Sequence, residues 1–289
     1  NATRFVLMNL DIEDASLPDA DKLTLEDKWL LSQYNRLIGE VRTNLDNYEL
    51  GVALSKLYDF IWDVFCDWYI EIAKSRLFDK DCETRLEAQY LLNKVLGVSM
   101  QLLHPFMPFV SEEVYSNLII DEKTDSIMIS NWPEVDDSMK FTNEEKMMDT
   151  LIDAIRAIRS IRKDMKVADS RKVHIIVVTP SDEIKAMFVN GSAFLERLAA
   201  VSSLEVKSDK EGIPATAVTC VFEAGEIYIP LGDLIDISKE LERLEKEKEK
   251  CLFYPDFMEL SFGCIFSLQN TIRHISTQSI MKIWRQLIL

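Results

Sequence analysis

Glycine and proline are scarce in this sequence, at 8 each in 289 residues. A turn-rich β fold draws on both, so their scarcity favours helices. Histidine is rarer, at 3, and the three are scattered, so no metal cluster is visible. The five cysteines (Cys66, Cys82, Cys220, Cys251, Cys264) show no CxxC spacing, and three sit within apolar runs. Free thiols of a reducing compartment are expected. No uncharged apolar run is long enough to span a bilayer, and no signal peptide is recognisable. Cations are outnumbered, 33 Lys and Arg against 49 Asp and Glu, for a net charge of −16. That argues against indiscriminate nucleic-acid binding through overall charge, but leaves room for a local basic or polar reading surface. There is no Gly-rich phosphate loop, no paired-His metal motif and no nucleophile–base arrangement, so catalysis within this chain is not expected. His104, between Leu103 and Pro105, reads as a helix-end residue with a backbone partner.

What is present is helical periodicity. Apolar residues make up 47%, and the length allows two domains with sizeable cores. From Leu50 to Leu77, the residues Leu54, Leu57, Ile61, Phe65, Trp68 and Ile72 recur at steps of three and four, the spacing of one helical face. Phe60, Val64, Tyr69 and Ala73 widen the stripe, so this helix is expected at the centre of a bundle. A narrow polar strip remains: Lys56, Asp59, Asp63, Asp67, Glu71 and Lys74. Like charges at i, i+4 cost roughly 0.2–0.5 kcal/mol per pair in an isolated helix, so water or cations must answer them. An acidic face repels phosphate and is expected to stay clear of any nucleic acid.

The chain starts at Asn1, not Met, inside the apolar-periodic segment Asn1–Leu10, and reads as a piece of something larger. Thr24 with Asp27 fits a capping box opening a second helix, with Leu30, Tyr34, Leu37, Val41 and Leu45 inward. Another helix is expected from about Glu83 to Leu103, stopped by His104-Pro105, and a short one over Phe109–Leu118 with Pro108 in its first turn. These elements predict an antiparallel helical bundle over 1–140. A further helix, Glu144–Lys163, opens a small α+β unit over 141–232. Strands are expected at Val173–Val178, Leu204–Lys207, Val218–Phe222 and Ile227–Ile229, a helix over Ser181–Ala200 broken near Asn190-Gly191, and a tight turn at Ala224-Gly225. The fold class is therefore mainly α: bundle, small α+β subdomain, and then the start of a coiled-coil arm over 233–250, whose seam is Leu234, Ile237, Leu241 and Leu244. Residues 251–289 have few charges and no heptad; they read as a divergent tail or a frame change of unknown role.

Two clusters suit binding. Asn1, Arg4 and Phe5 fall at i, i+3, i+4, so an amide, a guanidinium and a ring could meet unpaired bases; an ordinary amphipathic helix start reads the same way. Arg156, Arg159, Arg162 and Lys163 form a basic stripe beside an isoleucine stripe. It could grip a phosphate backbone, lie solvated, or neutralise acidic helices.

The segments NATRFVLMNL, CDWYIEIAK, LLHPFMPFVSEEVY, SNWP, AIRAIRSIRKDM and YIPLGDLIDISKELERLEKE, in this order, resemble the C-terminal part of the valyl-tRNA synthetases, over about Asn1 to Lys250. The HIGH-like and KMSKS-like signatures of such class I ligases are absent. The resemblance implies an anticodon-binding bundle that docks valine tRNA, while a catalytic part outside this chain uses ATP and Mg. It also implies a cytoplasmic protein, expected as a monomer, with no DNA or membrane partner. Asn1, Arg4 and Phe5 match the family's N-x-x-R-F, which favours their functional reading. Lys239, Arg243 and Lys246 are the residues through which the arm would touch the outer corner of the tRNA. A helical protein–protein interaction module remains the alternative from another class.

Overall fold

The computed structural model describes residues 1–12, 20–120, 123–168, 170–214 and 216–234. The chain divides into one compact unit over Asn1–Met148 and a second that begins at Asp149.

The first unit is helical. In chain order it holds α1 (Ala2–Met8), α2 (Leu25–Asp46), α3 (Leu50–Asp59), a π-helical segment (Phe60–Ile70), α4 (Glu71–Phe78), α5 (Arg85–Leu103) and α6 (Pro108–Asn117). The capping box at α2 forms: the Asp27 carboxylate accepts from the Thr24 backbone N–H at 3.1 Å. Leu30, Tyr34, Leu37 and Val41 are buried, as their spacing predicts, together with Trp29, Leu31 and Ile38. Pro108 stands in the first turn of α6, where a missing N–H costs nothing. His104 caps α5, and its ring meets a side chain, not the backbone: Nδ1 lies 2.7 Å from Ser111 Oγ.

The central helix differs from a plain α-helix. Between Phe60 and Ile70 it is wound in the wider i→i+5 pattern. The buried positions follow that winding, with Phe60, Phe65 and Ile70 recurring at five, joined by Trp68 and Tyr69. Ile61 and Val64, which a 3.6-residue period puts inward, are only half-buried. Leu54 is 39% exposed, its place in the core being taken by Ala53. The acidic strip survives: Asp59, Asp63 and Asp67 are exposed.

A buried polar cluster ties these helices together. Asp27 and Glu26 of α2 meet Arg76 of α4, and the Tyr69 hydroxyl donates to Asp27 Oδ1 at 2.7 Å. The Arg76 guanidinium also donates to the Thr84 carbonyl just before α5.

Helix α7 (Thr142–Asp164) gives its first turns to the first unit and the rest to the second. Met148, Leu151, Ile155, Ile158 and Ile161 are buried along it, as their spacing predicts. The second unit holds β1 (Val173–Val178), α8 (Asp182–Asn190), α9 (Ser192–Leu198), β2 (Val201–Lys207), β3 (Val218–Phe222), β4 (Gly225–Ile229) and a short α10 (Leu231–Leu234). The sheet order is β2-β1-β4-β3. β1 and β2 run parallel, so the α8–α9 pair is the crossover between them; β4 is antiparallel to both β1 and β3. The β3–β4 turn departs from expectation. Phe222 pairs with Gly225, which leaves Glu223-Ala224 as the turn and makes Gly225 the first residue of β4. Glycine is needed there for close approach, since a Cβ would lie 2.5 Å from the Val178 carbonyl oxygen. The expected coiled-coil start beyond Leu234, and the tail over 251–289, lie outside the described residues.

Candidate nucleic-acid interface

Helix α1 is anchored by Val6, which is fully buried. The Asn1 carbonyl accepts from the Phe5 N–H at 3.0 Å, and the Asn9 side chain donates to the Phe5 carbonyl at 2.7 Å, closing the other end. This short helix sends Asn1, Arg4 and Phe5 toward two neighbours instead of one. Asn1 and Arg4 are exposed and line a groove shared with α6. Phe5 is half-buried on the side of α4: its ring meets Phe78 edge-on, centroids 6.4 Å apart at 83°, and Lys74 Nζ sits 5.6 Å from its centre. Lys74 is in turn paired with Glu71. The acidic strip therefore does not stay clear of α1, because its last carboxylate is linked through Lys74 to Phe5.

The groove has a volume of about 500 Å³. Glu113 and Asn117 of α6 stand across it from Asn1 and Arg4, with Leu7 and Val114 among the apolar lining. Among the described residues, neither the Arg4 guanidinium nor the Glu113 carboxylate has a hydrogen-bond or ion-pair partner. Such an arrangement offers free donors on one wall and a free acceptor on the other, around an apolar floor. Periodicity gave no sign that Lys74, Phe78, Glu113 or Asn117 belong to this site. They reach the site because α4 and α6 flank α1, a tertiary fact that spacing along one helix does not carry.

The basic stripe of α7 lies in the second unit, and the structure divides it. Arg156 is exposed and paired with Asp153 at 3.3 Å. Arg159 donates through Nε to the Leu198 carbonyl at 2.8 Å. Arg162 turns inward, 8% exposed, and donates to the carbonyls of Arg171 (2.7 Å) and Ala168 (3.2 Å). Its guanidinium organises the turn after α7, which sets it apart from a phosphate-gripping row. Lys163 is exposed. Lys239, Arg243 and Lys246 lie outside the described residues.

Among the described residues, no three His, Cys, Asp or Glu side chains gather to hold a metal ion, and no helix is long and apolar enough to cross a membrane. Burial pushes the Cys220 thiol up to about 12, so it stays protonated at neutral pH.

A family profile described as the anticodon-binding domain of tRNA ligase matches residues 27–177. The valine–tRNA ligase of Clostridium acetobutylicum is 43% identical over 251 residues, 86% of this chain and 28% of that protein. That of Listeria innocua is 41% identical over 252 residues, with 86% and 28% covered. That of Bacillus anthracis is 38% identical over 249 residues, with 85% and 28% covered. The chain thus spans under a third of the length of these relatives.

Proposed function

The chain belongs to the family of anticodon-binding domains of tRNA ligases, and on that premise we propose that it is the tRNA-binding part of a valine–tRNA ligase. Its task is to dock the anticodon stem-loop of valine tRNA against α1. The observations that carry this reading are an unengaged guanidinium, Arg4, on the α6 side of α1, and a ring, Phe5, braced by Lys74 and Phe78 on its α4 side. A braced ring loses little freedom when a base stacks on it, and such stacking is worth about 1–3 kcal/mol per base. Lys163, Arg156 and Arg159 are exposed cations that would follow the phosphate backbone. Lys239, Arg243 and Lys246 would touch the outer corner of the tRNA. Attachment of valine, with ATP and Mg, belongs to the part of the ligase that this chain does not span. The setting is the cytoplasm, and the chain acts as a monomer.

The test is binding of a valine tRNA transcript against transcripts with altered anticodon bases. Loss of affinity on altering the anticodon supports the reading, and equal affinity for all transcripts overturns it.

A further inference from the structure

We propose that, in the whole ligase, the segment leading into Asn1 continues α1 as an amphipathic helix over the exposed stripe Leu54, Tyr58 and Trp62, with apolar side chains on the rings and Lys or Arg beside Asp59 and Asp63. This rests on the reading of the chain as part of a valine–tRNA ligase, and it names the surface that would hold that part to the rest.

The stripe is open. Tyr58 and Trp62 are 58% and 57% exposed, and their rings stack on each other, centroids 5.8 Å apart and 6° from parallel. Leu54, one turn earlier on the same face, is exposed as well. So is Gly51 before it, with nothing within 4 Å of where its Cβ would stand. Apolar side chains at successive steps of four, two of them ordered against each other and none covered, form a contiguous face of the kind that marks an interaction surface. Asp59 and Asp63 border it and are exposed, and among the described residues no ion pair answers either. An occupant that suits this face is apolar along one side and cationic beside it.

The direction of α1 says which segment reaches the stripe. Phe5 packs on Lys74 and Phe78. One turn earlier, the Asn1 ammonium lies within electrostatic reach of Cys66: burial first, and the Asp67 charge second, raise that thiol above its ordinary value of 9.0, and the ammonium opposes them. Helix α1 therefore runs in the same sense as the helix beside it, with Asn1 level with Cys66. Trp62 and Tyr58 stand one and two turns before Cys66. A helix rises about 1.5 Å per residue, so about eight residues continued backward from Asn1 would pass both rings. The chain spans under a third of the length of its relatives, so the whole ligase has polypeptide to supply them.

The experiment uses the whole ligase with p-benzoylphenylalanine placed at Tyr58 or, separately, at Trp62. After irradiation and digestion, mass spectrometry identifies the crosslinked peptides. Both positions are expected to crosslink to the segment just before Asn1. Crosslinks only to another stretch of the ligase, to a second copy or to tRNA overturn the proposal, as does the absence of any crosslink. Hydroxyl-radical footprinting gives a second readout on unsubstituted protein. Oxidation of Tyr58 and Trp62 should fall several-fold from this chain to the whole ligase, and equal oxidation in both overturns the proposal. Valine attachment by the unsubstituted whole ligase keeps the two readings apart. Attachment without crosslinks to the segment before Asn1 removes the proposal alone, whereas failure to attach valine to any tRNA removes the ligase reading and the proposal with it.

Discussion

Arg76 lays both terminal nitrogens on one carboxylate: Nη1 is 2.7 Å from Asp27 Oδ1 and Nη2 is 2.9 Å from Oδ2. The same carboxylate caps α2 and accepts from Tyr69, so one fully buried aspartate joins α2, the π segment and α4. Removing one partner of such a pair strands the other charge in the core. Arg76→Met is expected to cost about 3–5 kcal/mol in denaturant unfolding. Tyr69→Phe, which removes a single neutral donor, should cost nearer 1–2 kcal/mol. Equal costs for the two would show that the bidentate pair contributes nothing special.

Glu26 sits in the same cluster, and burial, helped by the neighbouring Asp27 charge, raises its pKa above the ordinary value of 4.5. A carboxyl raised on folding binds its proton more tightly in the native state. Its contribution is therefore fully present below pH 4.5 and declines as pH rises through the raised value. Glu26→Gln carries no such charge. Its stability relative to the unsubstituted protein should improve across that rise, as read by thermal or denaturant unfolding at a series of pH values. A difference that does not change with pH would contradict this.

Arg4→Ala should weaken discrimination between valine and altered anticodon loops, because it removes the free donors of the α1 wall. Asp63→Ala should leave RNA affinity almost unchanged, since Asp63 is exposed within the acidic strip of the π segment. Filter or fluorescence binding with matched stem-loops measures both. A large loss from Asp63→Ala in a folded protein would place RNA on the acidic face.

Lys163 and Arg162 are sequence neighbours with opposite expected behaviour. Lys163→Ala should lower RNA affinity and reduce the slope of log affinity against log salt by about 0.7, one phosphate contact to a single strand. Arg162→Ala should instead destabilise the second unit by roughly 1–3 kcal/mol, because the part-buried carbonyls of Arg171 and Ala168 lose a charged donor.

Gly225→Ala should be destabilising, because Gly225 opens β4 in close approach to β1. The new Cβ would sit 2.5 Å from the Val178 oxygen, inside contact distance with backbone of β1. Overpacking of this kind costs about 1–3 kcal/mol. Ala224→Gly, at the turn itself, serves as the control and should cost less.

The helices were legible where one face stays buried over several regular turns. Met148, Leu151, Ile155, Ile158 and Ile161 in α7 are the clearest case, with the capping pair Thr24 and Asp27 close behind. The period misled within Phe60–Ile70, because an apolar run with residues on every side fits a step of five as well as a step of four. The β3–β4 turn misled because glycine signals both a turn and a close approach, and here only the second applies. At the candidate site, N-x-x-R-F could be read, but the neighbours of Arg4 and Phe5 could not. Glu113, Asn117, Lys74 and Phe78 reach them from distant parts of the chain, and no local pattern encodes that meeting.

The π winding of Phe60–Ile70 has one more consequence. Each i→i+5 turn holds one residue more than an α turn needs, so the segment stores spare length inside a continuous helix. Deleting a single residue there can be absorbed by tightening one turn, without breaking the helix. What changes is aim: everything after the deletion rotates, so Lys74 and Phe78 swing away from Phe5 and Arg76 away from Asp27. The winding of this one segment therefore sets the phase of α4 against both the bundle core and the ring on α1, and one codon gained or lost within it would disturb the two together.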